Sequence, residues 1–126
     1  MTENEIGKLV VDQCVKLHKD LGPGLLESVY LRALSHRFSC CGLEVNIEKP
    51  IPILLDGIEL GEAFRADIIL NDKVLIELKS QETLLPVHKK QVLTYLKLSG
   101  IKLGFLINFG EPLMKQGIHR LINGTL

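Results

Sequence analysis

Apolar residues recur along this chain at two periods, and the changes of period divide it into elements. Ile6, Leu9, Val10, Cys14 and Leu17 fall at helical spacing, which predicts an amphipathic helix. Thr2 and Glu5 have the spacing of a capping box, so the helix is expected to start there and to end at Leu21-Gly22-Pro23-Gly24. A second helix is predicted from about Leu26 to Ser39, burying Leu26, Val29, Tyr30, Leu34 and Phe38, with Gly42 closing it. The period then changes to that of extended chain. Glu44 to Leu55 reads as a strand, and Pro50 and Pro52 confine it to a sheet edge or a bulge. Asp56-Gly57 turns the chain, and Glu59 to Glu62 leads into a strand over Phe64 to Leu70. Asn71-Asp72 turns it again into Lys73 to Lys79, whose Val74-Leu75-Ile76 run suits a strand buried on both faces. Pro86 opens a third helix to about Ser99, Gly100 ends it, Ile101 to Phe109 is a strand, and a short element over Lys115 to Ile122 finishes.

The predicted order is helix, helix, three strands, helix, strand. A helix between the last two strands implies a crossover and a parallel pair. The expected class is therefore α/β, a central mixed sheet flanked by helices. With 126 residues the chain is expected to be one domain, residues 1–126. Its 46% hydrophobic and 24% charged content is ordinary for a globular protein.

Net charge is zero, which removes any global pull toward nucleic acid, but the charge is unevenly placed. Residues 1–63 carry 6 Lys/Arg against 10 Asp/Glu, and residues 64–126 carry 9 against 5. Lys89, Lys90 and Lys97 in the basic half are as consistent with a solvated helix surface as with a phosphate-binding face. Cys14, Cys40 and Cys41 lack the CxxC spacing of a zinc site, and adjacent cysteines do not bridge readily. They read as small apolar fillers in helices, in a reducing cytoplasm. No signal-like segment opens the chain and no apolar run is long enough for a bilayer, so no membrane partner is expected.

The chemistry concentrates in the middle. Asp67 interrupts an apolar strand, and Glu77 and Lys79 share one face of the next strand. Burying unpaired carboxylates is costly, and a hard divalent cation such as Mg²⁺ is the economical way to hold two together. A lysine beside that ion can hold or deprotonate a water, and such a constellation cuts phosphodiesters. Arg65 lies on the Asp67 face, where it can meet a phosphate or pair with Asp67 or Glu62. Glu27, near the start of the second helix, is favoured there by the helix dipole alone. Tyr30 shares its face, either as a substrate contact or as a core residue bonded to Glu27. On the third helix His88, Gln91 and Tyr95 form a polar strip beside Val92, Leu93 and Leu96.

Asp67 with Glu77-Leu78-Lys79 resembles the D…E-x-K signature of the PD-(D/E)xK phosphodiesterase superfamily, although Ala66 replaces the usual proline. Gly24-Leu25-Leu26-Glu27-Ser28-Val29-Tyr30, after Leu21-Gly22-Pro23, resembles the small bacterial GxxExxY family within it. The likeness continues through Pro86-Val87-His88, Gln91, Tyr95-Leu96 and Gly104 to Phe109, from about Asp20 to Ile122. It implies a restriction-endonuclease-like αβββαβ core and a Mg²⁺- or Mn²⁺-dependent nuclease acting on nucleic acid, DNA before RNA. Asp67 and Glu77 are then the metal ligands and Lys79, Gln91 and Glu27 the catalytic residues. Arg65, Tyr30, Tyr95 and His88 would contact the substrate. The alternative is a catalytically idle nuclease fold that binds nucleic acid or protein. A hydrolase using Glu27 and Glu77 as an acid/base pair leaves Asp67 and Lys79 without roles. A chain this small has no evident domain to target it to a substrate, so action as a homodimer or with a protein partner is expected.

Overall fold

The computed structural model describes residues 1–126. The capping box forms: the Thr2 hydroxyl accepts from the Glu5 N–H at 3.2 Å, and the Glu5 carboxylate accepts from the Thr2 N–H at 2.9 Å. Helix α1 (Glu3–Leu21) starts there and buries Ile6, Val10, Cys14 and Leu17. Gly7 brings it down on the sheet, since a Cβ there would sit 3.3 Å from Leu103 and Phe105. Helix α2 (Glu27–Cys40) buries a narrower arc than its sequence predicts, namely Tyr30, Leu34 and Phe38. Leu26 is 75% exposed because it precedes the helix with extended backbone, outside the helical period. Val29 is exposed on the flank of the arc. Only Cys14 acts as a buried filler; Cys40, at the end of α2 and off the arc, faces solvent.

Five strands form one sheet in the order β1-β2-β3-β4-β5: Val45–Leu55, Ile58–Leu70, Val74–Lys79, Leu103–Asn108 and Ile118–Ile122. Helix α3 (Pro86–Ser99) makes the crossover, and β3 and β4 are parallel while the other pairs are antiparallel. This is the α/β arrangement expected, with one strand more. The terminal segment splits into a short helix α4 (Met114–Gly117) and β5, which pairs with β4. Its few residues, interrupted by His119 and Arg120, have no period of their own. Both hairpin turns place two central residues at positive φ, Asp56 and Gly57 in one, Asn71 and Asp72 in the other. That backbone twist matches the twist of the flanking strands. β1 is an edge strand with register shifts around Pro52, as its prolines require. β3 and β4 are covered on both faces, by α1 and α2 on one side and by α3 on the other. At Gly104 the helix α3 side chain Leu96 would come within 3.0 Å of a Cβ, so the crossover helix packs directly on backbone. No helix is long and apolar enough to cross a membrane.

Tyr30 holds the α1–α2 connection. It is wholly buried, and its hydroxyl donates to the Gly22 carbonyl at 2.6 Å and accepts from the Leu25 N–H at 3.1 Å. Its ring stacks on Phe109, with centroids 4.1 Å apart. A helical side chain leans back toward the N-terminus, so this tyrosine reaches the preceding loop instead of Glu27. Replacing Tyr30 by Phe keeps the ring but leaves both loop groups without this partner. The free energy of urea unfolding is expected to fall by about 1–3 kcal/mol. An unchanged value would mean that the hydroxyl does not secure the loop.

Candidate active site

The ladder between β2 and β3 holds for only three residue pairs, the last being Ile68 with Ile76. The next residues are Asp67 and Glu77. There the two strands part, β2 staying with β1 and β3 with β4. Main-chain donors freed at such a fork need partners. Two carboxylates supply them reciprocally: Glu77 Oε1 accepts from the Asp67 N–H at 3.1 Å, and Asp67 Oδ2 accepts from the Leu78 N–H at 2.8 Å. The structure therefore brings Asp67 and Glu77 together at the point where the sheet opens.

Crowding two acids in a half-dry fork changes their acidity. Burial, then the neighbouring Asp67 charge, pushes Glu77 up to about 8. Burial also raises Asp67, opposed by its bond from the Leu78 N–H. The close approach of the two carboxyl groups works in opposite directions, favouring an ionised Asp67 and a protonated Glu77. The positive charge of Lys79 opposes the rise at both acids. Lys79 takes part in none of the three ion pairs in the protein, so its ammonium group is uncommitted.

A recess of about 240 Å³ opens beside Asp67, lined by Glu27, Ser28, Leu31, Glu48, Asp67 and Leu78. Glu77 and Lys79 do not line it, because they alternate with Leu78 along β3 and lie on its other face. Glu27 arrives there because the loop before α2 is tied down. Gly24 turns at φ 87°, which favours glycine, Tyr30 secures Leu25, and the Ser80 hydroxyl donates to the Leu25 carbonyl at 2.5 Å. Glu48 was not singled out from sequence. The register pairs Ile47 with Ile68 and Lys49 with Ala66, which sets Glu48 across from Asp67. Its φ of 50° is unusual for a strand residue. Around this pair both strands change the face they bury: Val45, Ile68 and Leu70 pack with α1 and α2, whereas Ile51, Phe64 and Ala66 pack with α3. An acid on an edge strand ordinarily faces solvent, so the sequence held no signal for Glu48. Asn108 was also missed as a support. It is fully buried, accepts from the Gln81 and Gly110 N–H groups at 3.0 and 3.1 Å, and donates to the Gln81 carbonyl at 2.9 Å. That clamps the chain just after Lys79.

The other candidates lie further out. Arg65 is bound to Glu62, the second of the two partners its position allowed. Tyr95 stacks on Phe64 with centroids 3.9 Å apart, and burial together with the charges of Glu77 and Asp67 raises its hydroxyl pKa. His88 is engaged at the start of α3, where its Nδ1 accepts from the Leu85 N–H at 3.1 Å. Gln91 is exposed and lines no part of the recess. Tyr30 is walled into the core and offers no surface to a substrate.

The donor set suits a hard cation. One oxygen of each acid takes a main-chain N–H, leaving Asp67 Oδ1 and Glu77 Oε2 free of the backbone. No three acidic, histidine or cysteine side chains converge closely enough to cage an ion by themselves. That is the pattern of Mg²⁺, which binds through one or two carboxylates and keeps waters or substrate oxygens as its other ligands. Neither the curated proteins nor the solved structures compared with the chain gave a match. The profile of the PD-(D/E)XK nuclease superfamily matches residues 4–121, nearly the whole chain. The acid fork, the E-x-K strand and the mixed sheet flanked by helices thus sit in one continuous match, and the chain belongs to the PD-(D/E)XK nuclease superfamily, with a restriction-endonuclease-like fold.

Proposed function

We propose that this protein is a metal-dependent nuclease that hydrolyses phosphodiester bonds, with DNA as its substrate and Mg²⁺ or Mn²⁺ as its cofactor. The observation that carries this reading is the interlocked Asp67–Glu77 pair beside an uncommitted Lys79. Asp67 and Glu77 are the ligands in this reading, and Glu27 and Glu48 stand with Asp67 in the wall of the recess. The bound ion would supply Lewis acidity toward the scissile phosphate and lower the pKa of a water. Lys79 orients the attacking water and offsets charge on the phosphorane. Asn108 keeps the chain after Lys79 in place. The Gly24–Glu27–Tyr30 spacing supports placement in the GxxExxY group, with the glycine and tyrosine shaping the loop that carries the glutamate. We assign Lys79, Glu27 and Gln91 catalytic roles, Gln91 from the exposed face of α3. Tyr95, held beside the acids, and Arg65, if freed from Glu62, are the substrate contacts. The protein would act in the cytoplasm.

A second reading is an idle fold that binds nucleic acid or protein. Zero net charge and the absence of tryptophan favour it. Cleavage of plasmid, linear and single-stranded DNA with Mg²⁺ or Mn²⁺, beside a Glu77→Ala control, separates the two. Metal-dependent cutting lost in the control supports the nuclease, and no cutting on any substrate supports the idle fold.

Lys79→Ala is expected to leave metal and DNA binding nearly intact and to slow cleavage by about 10²- to 10⁴-fold, because the loss is confined to the transition state. Undiminished cleavage in this variant would contradict the assignment.

An ion that binds only the folded state stabilises it, by about 2.7 kcal/mol at roughly a hundredfold excess over Kd. Thermal melts should therefore rise with Mg²⁺ or Mn²⁺. Asp67→Asn should lose most of that gain, yet in EDTA above about pH 8, where both acids of the wild type are ionised, it should melt higher than wild type because one repelling charge is gone. Flat melts across metal concentrations would argue for the idle fold.

Without metal, the proton on Glu77 stabilises the fold, because its folded pKa of about 8 exceeds the ordinary 4.5. That contribution is complete below about 4.5 and is lost as pH rises through about 8. Melting temperature in EDTA should fall across that window, and Glu77→Gln, which mimics the protonated acid, should flatten the fall. An identical slope in the variant would show that Glu77 is not the titrating group.

A further inference from the structure

Strands β1 and β2 outrun the sheet. They have 11 and 13 residues against 6 in β3, and β3 pairs with nothing before Ile68. The stretch from Pro52 to Glu62 is therefore a two-stranded arm whose only ladder is its own. Its base is anchored by Ile51 and Phe64 in the core under α3, but its outer part is not covered. Leu54, Leu55, Ile58 and Leu60 are 69%, 57%, 61% and 58% exposed. Leu55 pairs with Ile58, so these two and Leu60 share one face of the arm, while Leu54 lies on the other beside Glu59. An apolar face carried on a projecting hairpin marks a contact surface.

Charge narrows the choice of partner. The arm carries Asp56, Glu59 and Glu62 and no lysine or arginine. Nucleic acid and anionic membranes are repelled by such a surface. The fitting partner has an apolar groove with a cationic rim. This chain has one: a groove of about 380 Å³ lined by Ile51, Pro52, Leu54, Lys97, Leu98 and Ser99. Lys97 is in no ion pair. Joining the two sheets edge to edge is disfavoured, because Pro50 and Pro52 leave gaps among the free donors of β1. The contact has to run through side chains.

We propose that the occupant of the groove is the arm of a second copy of this chain. Each groove lies at the base of its own arm, so a two-fold axis between them seats both arms at once and closes the assembly as a dimer. Leu55, Ile58 and Leu60 supply the apolar contact, and Asp56 at the tip of the arm meets Lys97 of the other copy.

Sedimentation velocity of the full chain from micromolar to near-millimolar concentration tests this. Wild type should approach about twice the 14.1 kDa mass of one chain. Leu60→Asp on the arm and Lys97→Glu in the groove should each weaken association at least about tenfold, with circular dichroism and melting temperature unchanged. The double variant Asp56→Asn with Lys97→Glu should recover association relative to Lys97→Glu alone, because the like-charge clash is removed while asparagine keeps the positive-φ turn, which a folding defect would not do. A wild type that stays monomeric throughout the range overturns the proposal, whether or not another protein uses the arm. So does a dimer that neither single variant weakens.

Discussion

The candidate site depends on two carboxylates doing the work of a missing strand ladder. Where β2 and β3 separate, the Asp67 and Leu78 N–H groups would otherwise point into a half-dry fork without partners. Asp67 and Glu77 satisfy them from opposite sides. This fixes both side chains, but it forces two acids into one desolvated space, where Glu77 holds its proton to about 8. Structural need and chemical strain are thus the same interaction. An arrangement that is costly with two negative charges becomes favourable once a cation lies between them, which is why the fork reads as a site and not as a packing defect.

The rest of the fold serves to hold that fork open and aimed. The parallel β3–β4 pair, covered on both faces, keeps Glu77 and Lys79 on a rigid strand, and Asn108 clamps the segment that follows. On the other side Tyr30 and Ser80 pin the loop before α2, so Glu27 enters the recess from a fixed position. Glu48 enters from the edge strand through a backbone conformation that only the surrounding structure sustains. Four chain segments contribute acids to one recess or its fork, and each is tethered by a hydrogen bond or a core residue close by.

Much of this was legible in the sequence because it rests on local rules. The capping box at Thr2, the positive-φ turn at Asn71-Asp72, the Pro86 start of α3 and the spacing of Asp67, Glu77 and Lys79 all follow from residue types at fixed offsets. What the sequence could not show depends on contacts between distant segments. Val29 has the composition of a buried arc but lies on the flank of α2, and Leu26 precedes the helix altogether. β5 exists because β4 offers an edge, not because Ile118 to Ile122 has a strong period. Tyr30 points to the preceding loop instead of to Glu27, and Glu48 looks like any solvated edge residue until its register against Asp67 is known.

The most direct measurement is a carbon-13 NMR titration of the Asp67 and Glu77 side-chain carboxyls in the metal-free protein, repeated with saturating Mg²⁺. The account predicts that the more basic step of the pair lies near 8 without metal and is centred on Glu77. It also predicts that Mg²⁺ moves this step down, out of the neutral range. A Glu77 carboxyl that titrates near the ordinary value of 4.5, and is indifferent to Mg²⁺, would contradict it.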